Sequence, residues 1–398
     1  MDVDMFRKAA FALMYNEPHL RTDVDLNATP ALWIPATDFS EVFHYEDLRG
    51  SGAKSVADVW HVVEKETNHQ FKFGVGKPLY KCGLLRIIGG YVAMNIYHHG
   101  AADGTSGLLM MGEIMKQYKL LEEGKELVRK PHQPRGSMEE LVKPQLDLGD
   151  ATATTGVVKE LVEEKIKRAK EWKPMLPFDM TEHEENKAGQ FINKILFRDG
   201  TKDNYQAIRT RCKAEKVSVG SIALAASYMA MAEIHAKTTC SDDVDKYQGM
   251  KEQYMDIPVN IRHRLDGIDG DEYAGFYVTE VTFKCDVTLE TKLWDLARNI
   301  QDQLKNIIAQ DQHLLFAKVK EEWETGEETK DLAVSSWQEG KISDVIVSNL
   351  MYYKYPTDLG WGEINSLYCA VSVAIPFCSN LELLFQACSG MFTYTLVY

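Results

Sequence analysis

An alternating run of apolar and β-forming residues, Tyr91-Val92-Ala93-Met94-Asn95-Ile96, leads into Tyr97-His98-His99-Gly100-Ala101-Ala102-Asp103-Gly104. No other stretch constrains the fold as much. A period of two marks a strand, so the run predicts a strand that delivers a histidine pair into a glycine-punctuated loop. Ser106-Gly107-Leu108-Leu109-Met110-Met111 then opens a helix reaching about Leu121, with Thr105 or Ser106 as its cap. Imidazole is the side chain best suited to moving protons near neutral pH. Adjacent strand residues point to opposite faces, so His98 and His99 are poorly placed to share a metal ion. The same geometry lets one face a cleft while the other packs behind it.

Composition narrows the partners. With 398 residues the chain has room for two or three domains of roughly 100–200 residues each. Its formal net charge of −14 disfavours nucleic acid and anionic membranes, although a local basic pocket can still hold an anionic small ligand. No run approaches the ~18 consecutive apolar residues that span a bilayer, so no membrane span is expected. The opening residues MDVDMFRKAAFALMYNE form an amphipathic helix without the features of a signal peptide. The seven cysteines include no CxxC pair and read as reduced thiols, neither a disulfide scaffold nor a zinc site, which implies a cytoplasmic location.

Further along, the patterning predicts a helix over 3–15 stopped by Pro18, and strands near 30–34, 70–74, 80–89 and 91–97. Residues 122–150 are polar, contain Pro131, Pro134 and Pro144, and read as a linker or crossover. Helices are expected near 157–172, 202–214, 218–236 and within 289–324, with strands at 189–197, 256–264, 275–285 and 343–349 and several more in 366–398. The run VSVGSIALAASYMAMAEIH is apolar almost all round and should be buried. The simplest reading is an α/β protein of two halves, an N-terminal lobe over 1–180 that includes a crossover over about 122–180, and a C-terminal lobe over 181–398.

The string at 98–104 resembles the His-His-x-x-x-Asp-Gly motif of alcohol O-acetyltransferases and non-ribosomal peptide condensation domains, and contains the His-x-x-x-Asp core of the BAHD acyltransferases. Four more stretches follow in that superfamily's order. Asn16-Glu17-Pro18-His19-Leu20-Arg21-Thr22 is similar to the segment after its first helix. Asp256-Ile257-Pro258-Val259-Asn260-Ile261-Arg262-His263-Arg264 is similar to a strand of its second half. Val347-Ser348-Asn349-Leu350 resembles a strand end facing the active histidine, and Asp358-Leu359-Gly360-Trp361-Gly362 is one substitution from the Asp-Phe-Gly-Trp-Gly motif. The resemblance implies two chloramphenicol-acetyltransferase-like lobes with mixed sheets, meeting in a V around an active-site tunnel. Members usually carry some tens of residues before the first helix, whereas only 97 residues precede His98.

By the same resemblance, His99 is the general base and His98 a supporting neighbour. Asp103 turns away from substrate to pair with an arginine, and Gly104 shapes the loop. Arg21 is a candidate for that arginine or a plain surface residue. Arg262 and Arg264 share one face of a strand, either structural or solvated. Ser348 and Asn349 are candidate substrate contacts, and Asp358, Gly360, Trp361 and Gly362 are structural. The expected activity is transfer of a short acyl group, acetyl foremost, from acyl-coenzyme A to a hydroxyl of a small apolar acceptor, by a monomer with no bound cofactor or metal, in specialised metabolism. Direct transfer without an acyl-enzyme agrees with the lack of a Gly-x-Ser-x-Gly elbow. An amide-forming or carrier-protein-dependent condensation enzyme and a non-catalytic ligand-binding member are the alternatives. The basic run Lys165-Ile166-Lys167-Arg168-Ala169-Lys170 is a solvated helix face or a contact for the phosphates of coenzyme A.

Overall fold

The computed structural model describes residues 1–29, 31–136, 138, 140–142, 151–171, 193–240, 249–265, 267–268, 273–315, 318–319, 343–372 and 379–398. It is a mixed α/β protein with mixed sheets. The chain forms two compact units, and neither is a single stretch of sequence. The first comprises Met1–Leu141, Arg262–Val278 and Tyr353–Asn365, and the second comprises Val142–Ile261, Thr279–Tyr352 and Ser366–Tyr398.

In the first unit, α1 (Val3–Asn16) is capped by Asp2, whose carboxylate accepts from Met5 N–H at 2.8 Å. β1 (Thr22–Asp25) and β2 (Leu32–Pro35) pair antiparallel. β3 (Phe43–Asp47) runs parallel to β4 (Tyr80–Ile87), which pairs antiparallel with β5 (Gly90–Tyr97). α2 (Trp60–Thr67) lies between β3 and β4 in sequence, and α3 (Gly104–Glu122) follows β5. α1 and α3 bury Phe6, Leu13, Leu109, Met110 and Ile114 against Tyr80, Cys82 and Leu84 of β4.

The second unit holds a six-stranded sheet in the order β6-β11-β10-β9-β7-β8. Its strands are β6 (Ile195–Asp199), β7 (Met250–Asn260), β8 (Val278–Val287), β9 (Ser343–Tyr352), β10 (Ser379–Cys388) and β11 (Met391–Val397). β9 runs parallel to both β7 and β10, while β11 is antiparallel to β10 and β6. The helices are α4 (Ala151–Glu171), α5 (Lys202–Glu215), α6 (Val219–Thr239) and α7 (Leu293–Ala309). By length and composition α6 could cross a membrane. Its Leu224, Ala225, Tyr228 and Met231 instead pack with Leu296 and Ile300 of α7 onto Met255, Phe283, Val345 and Phe385 of the sheet.

Three local expectations need correction. Residues 70–74 are not a strand: 70–72 are irregular, and the chain bends over 73–76. Gly74 and Gly76 take φ of +70° and +78°, and the buried Asp23 carboxylate gathers the N–H groups of Gly74 and Gly76 at 2.9 and 2.7 Å. The cap of α3 is Asp103, two residues before Thr105, because its carboxylate accepts from Ser106 N–H. The strand expected over 256–264 ends at Asn260, and Arg262–Arg264 form a 3₁₀ turn. Of the strand expected over 189–197, residues 189–192 lie outside the described residues, as do 316–317 and 320–324 of the helical region expected over 289–324.

Phe283 is fully buried between the sheet and its helices. Phe283→Ala should lower the unfolding free energy by about 3–5 kcal/mol, read from urea denaturation.

Candidate active site

β5 places the histidine pair. After Tyr97 the chain leaves the sheet, with His98 N–H still donating to Leu79 O at 3.0 Å and Ala101 N–H returning to His98 O at 2.9 Å. The His98 ring is half-buried, edge-on to Phe73 (centroids 5.1 Å apart), and its Nδ1 accepts from Gly100 N–H at 3.1 Å. An accepting Nδ1 puts the proton on Nε2. Burial, and then the neighbouring His99, hold His98 below the usual histidine range, so it stays neutral at pH 7. His99 is exposed, and its ring stands edge-on to Phe276 at 5.4 Å. The two rings are therefore placed differently: one is tucked among phenylalanines, the other is open.

Asp103 turns inward, where it is 3% exposed. Its oxygens meet Arg262 through a two-pronged contact, NH1 to Oδ2 at 2.7 Å and NH2 to Oδ1 at 2.9 Å. Ser106 N–H donates to Oδ1 at 2.8 Å and Tyr277 N–H to Oδ2 at 2.9 Å. Ser106 Oγ stands 3.0 Å from Asp103 Oδ1 and 2.7 Å from Gly275 O, and accepts from Arg262 NH2 and Gly275 N–H. Arg262 NH2 also reaches Gly275 O at 3.0 Å, and the guanidinium lies 4.9 Å over the Tyr277 ring. Behind the loop, Tyr97 Oη donates to Asp103 O at 3.1 Å, and a Cβ on Gly107 would stand only 2.5 Å from that hydroxyl. Glycine at 107 is what lets the helix start approach the strand.

The arginine that pairs with Asp103 is thus Arg262. Arg21 is engaged elsewhere: Nε donates to Met14 O at 2.9 Å, at the C-terminal end of α1. Arg262 is 1% exposed, contrary to a solvated strand face, because the 3₁₀ turn rotates it inward. Arg264 is half-buried in the same turn. Gly104 is the first residue of α3. Asp358 Oδ1 accepts from Gly360 N–H at 2.8 Å and Leu359 N–H donates to Gly362 O, which makes a tight turn with Gly360 at φ +84°. Trp361 from that turn packs on Tyr118 of α3, with centroids 5.0 Å apart. Ser348 and Asn349 belong to β9 in the second unit, opposite Leu384 and Phe385 of β10.

Several contributors escaped the sequence reading. Ser106 entered it only as a candidate helix cap, although its place three residues after Asp103, a spacing typical of helix N-termini, was a usable signal. Gly275, Phe276 and Tyr277 gave none, because they reach Asp103 and His99 from more than 160 residues away. The Glu17 carboxyl is also buried, with Oε1 3.0 Å from His132 Nδ1 and Oε2 3.8 Å from His19 Nδ1. Burial raises Glu17 to about 8, and burial followed by His132 and Arg262 lowers His19 to about 4. In the second unit, burial and then Glu280 raise Glu382 of β10 to about 8. Among the described residues no three His, Cys, Asp or Glu side chains gather to hold a metal ion.

Replacing Arg262 by Met would leave Asp103 buried beside no counter-charge. The expected loss is about 3–5 kcal/mol of stability, measured by urea unfolding. The titrations also set a pH dependence. Glu17 and Glu382, ordinarily near 4.5, hold protons up to about 8 when folded, so each lowers stability as pH rises from 4.5 to 8. His19, ordinarily near 6.5, resists protonation until about 4, so it lowers stability as pH falls from 6.5 to 4. The two effects oppose each other below 6.5, and above it only the carboxyls act. Unfolding free energy should therefore fall between pH 6.5 and 8, and Glu382→Gln should flatten that fall in denaturation at the two pH values.

The sequence profile described as alcohol acetyltransferase matches residues 62–381. No curated protein matches the chain in sequence. Solved structures share the fold at low identity. The TRI3 trichothecene 15-O-acetyltransferase of Fusarium sporotrichioides is 12% identical with a TM-score of 0.66, covering 99% of this chain and 81% of its own. The first condensation domain of the calcium-dependent antibiotic synthetase, in complex with a substrate analogue, is 12% identical with a TM-score of 0.65, covering 100% and 82%. Polyketide synthase associated protein 5 of Mycobacterium tuberculosis is 14% identical with a TM-score of 0.61, covering 100% and 86%. A profile matching well over half of the chain, on a fold shared with acyl-transferring and condensing enzymes, shows that the chain belongs to the alcohol acetyltransferase family.

Proposed function

We propose that this acyltransferase moves a short acyl group, acetyl foremost, from acyl-coenzyme A to the hydroxyl of a small apolar alcohol, with His99 as the general base. The observation that carries the reading is the division of labour in the loop: the second histidine is open to a ligand while Asp103 is turned away and fully engaged by Arg262. An alcohol is a poor nucleophile until its proton is removed. A neutral imidazole within hydrogen-bond reach of the hydroxyl removes it as the oxygen attacks the thioester carbonyl. The tetrahedral intermediate then collapses, the C–S bond breaks, and the imidazolium returns the proton to the departing thiolate. No covalent acyl-enzyme is needed. Asp103 serves geometry here: by anchoring the start of α3 to Arg262 it holds the loop that presents His99. Tucked against Phe73, His98 supports the loop from the other side.

Purified protein mixed with acetyl-coenzyme A and a panel of alcohols and amines tests the reading through release of free thiol. Alcohol-dependent release is expected. Release with amines alone would identify an amide-forming enzyme, and no release with any acceptor would leave a binding protein. His99→Ala should lower kcat by about 10²–10⁴-fold with the melting temperature unchanged. Full activity in that variant would sink the mechanism.

A further inference from the structure

The segment Tyr273–Tyr277 serves the candidate base twice. Gly275 and Tyr277 close the Asp103–Ser106–Arg262 cluster with their backbone groups. Phe276, between them, sets its ring edge-on to His99 at 5.4 Å. The other end of the segment is gripped by Glu17 and His132. Ala274 N–H donates to the Glu17 carboxyl, and Glu17 Oε1 is 3.0 Å from His132 Nδ1. The His132 ring packs on Tyr273 with centroids 4.4 Å apart, and the backbone N–H of His132 donates to Asn16 O at 2.8 Å. The Arg135 guanidinium lies over the Tyr273 ring, 4.7 Å from its centroid, and donates to the Tyr273 hydroxyl at 2.8 Å. The grip on residues 273 and 274 is thus continuous with the contacts that 275–277 make to Asp103 and His99.

We propose that Glu17, paired with His132, is a positioning residue for His99: it fixes the Tyr273–Tyr277 segment and, through Phe276, the seat of the imidazole. The proposal rests on the reading of His99 as the base. Every charged group around Glu17 bears on its proton. His19 faces it from the turn after α1, His132 from the segment after α3, and Glu113 from α3 itself, while Arg262 faces His19 and the Tyr277 phenol also senses the carboxyl. Burial raises the carboxyl to about 8, with the Ala274 N–H opposing the shift and Glu113 adding to it. At neutral pH the acid therefore keeps its proton, with Oε1 3.0 Å from His132 Nδ1 and the carboxyl accepting Ala274 N–H. Loss of that proton sets a buried negative charge near Glu113 and beside the His132 ring, so the contacts around the segment change in alkali.

Glu17→Gln keeps the amide-like hydrogen bonds and abolishes the titration. The His99 ring resonances, followed by long-range ¹H–¹⁵N NMR in the full chain, should show in the wild type a second inflection near pH 8 that is lost in Glu17→Gln. His132→Gln, which removes the imidazole partner, should displace that inflection and guards against a Glu17 variant that fails to fold. With an alcohol that supports thiol release, the wild-type kcat profile should carry an alkaline limb near pH 8 that Glu17→Gln loses while KM is unchanged. His99 signals that titrate alike in all three proteins overturn the proposal, whether or not acyl transfer is detected. If the NMR coupling is present but no acceptor releases thiol, the positioning stands and the transferase reading falls.

Discussion

The buried pair of Asp103 and Arg262 is the interaction on which the first unit turns. Both side chains are almost fully withdrawn from water, and isolated charges there would be costly. What makes the pair tolerable is the number of its polar contacts. The carboxylate receives two guanidinium N–H groups, two backbone N–H groups and the shared Ser106 hydroxyl, while the guanidinium also reaches Gly275 O and the face of Tyr277. Such a knot has one satisfactory geometry. It ties the start of α3 to a segment 159 residues further along the chain and so sets where the histidine loop can lie.

Local chemistry and long-range closure cooperate at that loop. The alternation in β5 and the cap of α3 set a strand-to-helix turn of six residues between Tyr97 and Gly104, and Gly107 lets Tyr97 approach the helix. On its own that turn would leave Asp103 as an ordinary N-cap. Arg262, Gly275 and Tyr277 change it into an internal anchor. The same returning segment brings Phe276 to His99 and Tyr273 to His132, so one short stretch joins the anchor, the candidate base and the buried Glu17–His132 pair.

Much of the architecture was legible. Strands at Tyr80–Ile87 and Gly90–Tyr97 and helices at Val3–Asn16, Lys202–Glu215 and Val219–Thr239 follow their residue patterns closely, because the apolar positions of each meet a core. The irregular stretch at 70–74 was misread as a strand, since the alternation of Phe71 and Phe73 was weighed without the glycines 74 and 76 that Asp23 bends around it. The strand over 256–264 was drawn too long for a similar reason: alternation was extended past Asn260, where the backbone turns and carries Arg262 inward to a waiting carboxylate. The two compact units could not be read from order along the chain, because segments at 262–278 and 353–365 return to the first unit.

What the sequence determined by itself is the chemical kit: a strand that ends in two histidines, an aspartate four residues after the second, and the ordered motifs that mark the acyltransferase family. Short-range sterics and periodic burial act within a few residues, and a sequence displays them directly. Only the tertiary structure decided which arginine meets Asp103, which ring rests on His99, and that Glu17 is a buried acid with a histidine partner. Those outcomes depend on desolvation and on contacts between residues more than a hundred positions apart, and neither is written in local order.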